Sequence, residues 1–99
     1  MFHYVRRSHL KCLRPHGRTQ TLGFSQGITD FGEMDVANEI AFPARPGDLL
    51  IHHSLTIHRA DWNNSALRSR RAMGFIYFAE SAKVDEKSRK SYEKELKKV

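Results

Sequence analysis

Short apolar runs separated by turn-forming residues are the feature that most limits how this chain can fold. Four such runs, each containing Ile, Leu or Phe, occupy residues 38–43, 48–52, 56–60 and 71–79. Pro46-Gly47 is a strong turn sequence between the first two runs. Runs of this length with turn residues at their ends are typical of antiparallel strands. The sequence therefore predicts a mainly β fold.

The end of the chain has a different periodicity. Tyr92, Leu96 and Val99 fall at positions i, i+4 and i+7, which is the spacing of one face of an α-helix. We predict a C-terminal helix within residues 83–99, with a narrow apolar stripe that docks on the sheet or on a partner. Residues 17–37 have mixed polarity and predict a long loop with room for one weak strand. A chain of 99 residues is enough for one small domain.

Positive charge is concentrated near the amino terminus. The chain has a net charge of +6, and its first 29 residues contain five basic residues and no acidic one: Arg6, Arg7, Lys11, Arg14 and Arg18. Two hypotheses follow, an organelle transit peptide and a nucleic-acid-binding module that also uses Phe2, Tyr4 and Trp62. The rest of the chain carries 12 basic and 11 acidic residues, and no nucleic-acid-binding motif is present. The sequence therefore disfavours a nucleic-acid partner.

Membrane association and disulfide bonding are not expected from the composition. No apolar run approaches the roughly 20 residues that cross a bilayer, so we expect no membrane partner. Cys12 is the one cysteine and cannot form a disulfide within the chain. A single cysteine fits a reducing compartment, and we predict a cytoplasmic location.

Three histidines within seven positions, His52, His53 and His58, are candidate metal ligands. Adjacent residues of a regular strand face opposite sides, so at most one of His52 and His53 can share a site with His58. The residues Ser54-Leu55 interrupt the run, which leaves the choice between them open. The spacing matches no helical zinc motif. It is compatible with the facial triad of non-haem iron, which consists of two histidines and one carboxylate.

Four arginines between residues 59 and 71 supply candidate anion ligands. Arginine binds a carboxylate bidentately through a planar and permanently charged group. An arginine that opens the strand after the histidine strand would point into the same cavity, and Arg70 or Arg71 occupies that place. Arg68 fits surface charge equally well.

Residues 46–78, which read PGDLLIHHxLTIHRAxxNxSxxRxRRAxGxIYF, resemble the phytanoyl-CoA dioxygenase family. Residues 4–18 are similar to its Y-V-x-G-S-H-x-x-G-L-x-x-H segment, with Arg7 and Cys12 at two positions where glycine is usual. If those positions require positive φ, a side chain there costs energy. The resemblance also favours strand and turn over a transit peptide at the amino terminus.

The family consists of Fe(II)- and 2-oxoglutarate-dependent oxygenases on a double-stranded β-helix, a jelly-roll-type fold, that hydroxylate a small-molecule substrate. The resemblance implies that residues 1–82 form the carboxy-terminal half of such a domain, with residues 83–99 as a helix outside it. The implied residues are His58 as an iron ligand, Arg70 as the anchor of the far carboxylate of 2-oxoglutarate with Arg71 as a substitute, and Thr56 and Asn63 as pocket hydrogen-bonding groups.

The family's remaining ligands do not occur in this sequence. Its members supply the first histidine and the carboxylate as H-x-D, and this chain contains neither H-x-D nor H-x-E. One hypothesis is an oxygenase whose missing amino-terminal half supplies these ligands. The alternative is a non-catalytic β-fold that binds or interacts without iron. Half of a double-stranded β-helix exposes an apolar face and unpaired strand edges, so we also predict self-association.

Overall fold

The structure, a computed structural model, describes residues 1–20 and 26–98. This part of the chain forms two small antiparallel sheets, a short 3-10 helix and two α-helices. In chain order the elements are β1 (Phe2–Val5), the 3-10 helix (Ser8–Lys11), β2 (His16–Arg18), β3 (Gln26–Ile28), α1 (Glu33–Ala37), β4 (Glu39–Phe42), β5 (His58–Ala60) and α2 (Glu86–Leu96).

The larger sheet has three strands in the order β4-β1-β5, with β1 antiparallel to both neighbours. Tyr4 at its centre lies opposite Ile40 on β4 and His58 on β5. The second sheet contains β2 and β3 only, and Gly17 lies opposite Gly27 in it. Both sheets are antiparallel, which confirms the mainly β prediction. A double-stranded β-helix remains a prediction.

The three-stranded sheet has two chemically different faces, because side chains alternate along each strand. One face, which we call the aromatic face, carries Phe2, Tyr4, Ile40, Phe42 and His58. The other face, which we call the charged face, carries His3, Val5, Glu39 and Arg59. In the part of the chain that the structure describes, Val5 is the one buried apolar residue. A cavity of about 160 Å³ adjoins this sheet, and it is lined by His3, Val5, Ile28, Phe31, Glu39, Ile57, His58 and Arg59.

Two of the four predicted strands are confirmed and two are wrong. The runs 38–43 and 56–60 contain β4 and β5. The runs 48–52 and 71–79 form no strand. The Pro46-Gly47 turn is confirmed, because the Asp48 amide donates to the Arg45 carbonyl at 3.0 Å and Gly47 has a φ of 92°. A strand needs a partner for its peptide groups, and no described segment forms a β-ladder with either of these two runs.

The described residues of 17–37 contain more regular structure than predicted, since β3, α1 and part of β2 lie among them, whereas residues 21–25 of the predicted loop lie outside the described residues. The predicted C-terminal helix is confirmed as α2. The Asp85 side chain caps it by accepting from the amides of Lys87 and Ser88, each at 3.1 Å. Tyr92 and Leu96 of the predicted apolar stripe are 37% and 39% exposed, whereas Val99 lies outside the described residues. Neither described α-helix combines the length and the apolar character that crossing a bilayer requires.

Candidate metal and diacid site

His58 lies on β5 with one ring nitrogen available to a ligand. Its Nδ1 is 2.9 Å from the carbonyl oxygen of Thr56. A carbonyl oxygen only accepts, so Nδ1 donates and the neutral ring keeps a lone pair on Nε2. Metal-binding histidines commonly donate their second ring nitrogen to a backbone carbonyl in this way. Because His58 is exposed, its geometry suits a metal ligand on the aromatic face.

His52 is the neighbour of His58. The two ring centroids are 4.5 Å apart, and the ring of Tyr4 lies 5.0 Å from His52 and 6.1 Å from His58. Burial lowers the pKa of His52, and the nearby His58 lowers this pKa further. His53 lies instead beside His9, with the ring centroids 5.6 Å apart. The structure thus decides the choice that the sequence left open, because His52 joins His58 and His53 does not.

The carboxylates nearest to β5 belong to the charged face. Glu39 and Asp61 lie 2.9 and 2.6 Å from the two ring nitrogens of His3. Arg59 pairs with both acids, and its Nη2 is 2.5 Å from Glu39 Oε1. The hydrogen bond from His3 and then that from Arg59 lower the pKa of Asp61. These four side chains satisfy one another, and they lie across the sheet from His58.

The described residues do not complete an iron site. A facial triad needs two histidines and a carboxylate around one ion. In residues 1–20 and 26–98, no three His, Cys, Asp or Glu side chains are arranged to hold a metal ion. His52 and His58 are two imidazoles without a carboxylate beside them on the aromatic face. The described residues therefore place two imidazoles side by side on this face but form no complete ligand set for a metal ion.

Arg70 does not open a regular strand, contrary to the sequence-based placement. It lies in a segment without regular secondary structure after β5, and its Nη1 donates to the carbonyl oxygen of Asp61 at 2.6 Å. No hydrogen bond or ion pair among the described residues joins Arg70 to His58. Arg68 and Arg71, the two alternatives, are exposed. The guanidinium of Arg70 is thus held at the carbonyl of Asp61, a residue that lies just after β5 and three positions after His58.

The two predicted pocket hydrogen-bonding residues have local partners. Thr56 provides the carbonyl oxygen that fixes the His58 ring. The Asn63 amide group donates to the Arg68 carbonyl at 2.6 Å, and its oxygen accepts from the Ser65 amide at 3.1 Å. Asn63 therefore shapes the loop that precedes Arg70 and is not free for a ligand in this arrangement.

Arg7 and Cys12, which stand where the family that the chain resembles has glycine, both adopt positive φ. Each has a φ of 59°, and within the described residues they are the two non-glycine positions with positive φ. Cys12 has a ψ of −164°, a combination that is almost restricted to glycine. The backbone thus has the conformation that glycine favours at the two positions where the family has glycine.

Ser8 was not identified from the sequence but positions the His58 strand. It is 2% exposed, its hydroxyl donates to the Val5 carbonyl at 2.8 Å, and its oxygen accepts from the Ile57 amide at 2.8 Å. Ile57 immediately precedes His58. The two bonded peptide groups are far apart in sequence, and no local pattern could have identified this bridge.

Comparison with known proteins assigns no family to the chain. No family model matches it, and no similar chain was found among curated proteins or solved structures. Function is therefore inferred from the residues and their geometry.

Proposed function

We propose that this chain is part of an Fe(II)- and 2-oxoglutarate-dependent dioxygenase of the phytanoyl-CoA dioxygenase type, which hydroxylates a small-molecule substrate. In this proposal Nε2 of His58 binds the iron and Arg70 holds the far carboxylate of 2-oxoglutarate. The other metal ligands come from outside the described residues. An amino-terminal half with an H-x-D motif would supply them. Iron would activate oxygen at that shared site.

The observation that carries the proposal is the orientation of His58. Its Nδ1 is occupied by the Thr56 carbonyl, and on the aromatic face of the sheet its Nε2 has no hydrogen-bond partner among the described residues. The positive φ of Arg7 and Cys12 also supports the proposed family type, because both residues stand where the phytanoyl-CoA dioxygenase family has glycine. The position of Arg70 near the end of β5 is compatible with a diacid that extends from His58 along the strand.

Anaerobic titration of the chain with Fe(II), with and without 2-oxoglutarate, tests this proposal. We expect His58→Ala to weaken iron binding by at least about tenfold, because loss of even a supporting residue costs this much at metal sites. We expect Arg70→Met to remove the increase in iron affinity that 2-oxoglutarate produces, since methionine keeps the apolar length of the side chain and removes the cation.

His16→Ala is the matched control. His16 is also exposed and also has its Nδ1 beside a backbone carbonyl, that of Arg14 at 2.6 Å. In the described part of the chain its Nε2 likewise has no hydrogen-bond partner, but His16 lies on β2, in the two-stranded sheet. If His58→Ala and His16→Ala give the same titration as the unchanged chain, the iron assignment is wrong.

The second candidate function is a non-catalytic β-fold that binds or interacts without iron. It is favoured by the incomplete ligand set, since no three-ligand group occurs in the described part of the chain. A non-catalytic β-fold predicts that iron affinity is the same with and without 2-oxoglutarate. It also predicts that neither His58→Ala nor Arg70→Met changes this affinity. The same titration thus distinguishes the two functions.

A further inference from the structure

The chain buries too little of its surface for an isolated folded domain. It exposes 9518 Å² at a mass of 11.5 kDa, whereas a folded monomer of this mass exposes roughly 5,800 Å². Its radius of gyration is 15.6 Å, compared with about 13 Å for a compact domain of this length. The excess of roughly 3,700 Å² is more than the roughly 600–1,000 Å² that each partner contributes to a standard interface.

Much of the exposed apolar area belongs to one segment, residues 72–78. Five of its seven side chains are large and apolar or aromatic, and they are 68–89% exposed: Met73, Phe75, Ile76, Tyr77 and Phe78. None of the backbone hydrogen bonds in the described chain involves this segment. The segment is thus a row of unpaired peptide groups with apolar side chains on both sides.

The composition of this segment indicates a second copy of the same chain as its partner. Residues 72–78 contain no charged residue and no proline. Exposed segments of six or seven uncharged residues with high β-propensity pair with identical segments of other chains. Two copies related by a two-fold axis present the same surface to each other, so their contact closes at a dimer. The available area is sufficient for a stable dimer.

We propose that residues 72–78 form an antiparallel β-ribbon with the same residues of a second copy, and that this ribbon is the dimer interface. The proposal is independent of iron binding, because His58 and Arg70 lie outside the segment. It also explains why the predicted strand at 71–79 has no strand partner among residues 1–20 and 26–98.

Sedimentation velocity over a range of protein concentrations, combined with backbone amide exchange, tests the proposal. We expect a dimer whose amides at residues 72–78 become protected as concentration rises. Ile76→Pro should weaken the dimer by at least about tenfold, because each copy loses a hydrogen bond of the ribbon. Leu49→Pro is the matched control, since Leu49 is 78% exposed and Ile76 is 82% exposed, and it should leave the dimer unchanged.

Three results on association would overturn the proposal, and one result on amide exchange would do the same. These are a monomer at all concentrations, association that Ile76→Pro leaves unchanged, and equal weakening by Ile76→Pro and Leu49→Pro. The last result would mean that general apolar exposure drives association. Protection of the 72–78 amides that does not depend on concentration would equally contradict an intermolecular ribbon.

Discussion

Replacing Asp35 by asparagine tests whether burial decides which of two ion pairs stabilises the fold. Arg14 donates to the two carboxylate oxygens of Asp35 at 2.6 and 2.8 Å, and its Nε is 3.1 Å from both oxygens of Asp30. The Asp35 side chain is 5% exposed, whereas that of Asp30 is 43% exposed. Asp35 also accepts from the Gly32 amide at 2.9 Å. The same guanidinium thus has one buried partner and one exposed partner.

The expected cost follows from this difference. Removing one partner of a buried ion pair costs about 3–5 kcal/mol, whereas an exposed pair contributes about 0.2–1 kcal/mol. Asparagine can still accept from Gly32, and Asp30 still pairs with Arg14, so we expect Asp35→Asn to cost about 2 kcal/mol. Since 1.36 kcal/mol is a factor of ten, local opening should increase by about thirtyfold. Asp30→Asn should increase it by less than about fivefold.

Backbone amide exchange at Thr29 measures this opening, because its amide donates to the Pro15 carbonyl at 3.0 Å and joins the two segments that carry Arg14 and Asp30. The hydrogen bonds from Arg14 and then from Gly32 hold the pKa of Asp35 well below its ordinary value of 3.8. The stabilisation from ionised Asp35 is therefore complete above that ordinary value and is lost as the pH falls below it. Equal acceleration of exchange by Asp30→Asn and Asp35→Asn would refute the reasoning.

Two further predictions concern the turn that supports β5. Ser8→Ala leaves the Val5 carbonyl and the Ile57 amide unpaired and should cost about 1–3 kcal/mol, observed as faster exchange of the Val5 amide, which donates to the Ile57 carbonyl at 2.9 Å. Unchanged exchange at Val5 would show that the hydroxyl bridge does not hold the strands together. Cys12→Gly should stabilise the chain by about 1 kcal/mol, because it removes backbone strain of about 1–3 kcal/mol at the entropic cost of one glycine. Urea unfolding measures this gain, and Cys12→Ala, which keeps a Cβ atom, should not reproduce it.

Local patterns were sufficient to predict several elements. The i, i+4, i+7 spacing predicted α2, and the Pro46-Gly47 pair predicted the turn, because both depend on residues that are near one another in sequence. The apolar runs around β4 and β5 were also identified correctly. The same reasoning gave the wrong result for residues 71–79, because strand propensity does not supply a partner.

The sequence by itself determined the composition of the candidate site and the tail helix, because both depend on residue types and local spacing. Only the tertiary structure decided that His52, and not His53, lies beside His58, and that Glu39 and Asp61 lie on the opposite face with His3. His3 and Asp61 are 58 residues apart in sequence. Their contact depends on the register between β1 and β5, and a shift of one residue in that register would move every side chain of β5 to the other face.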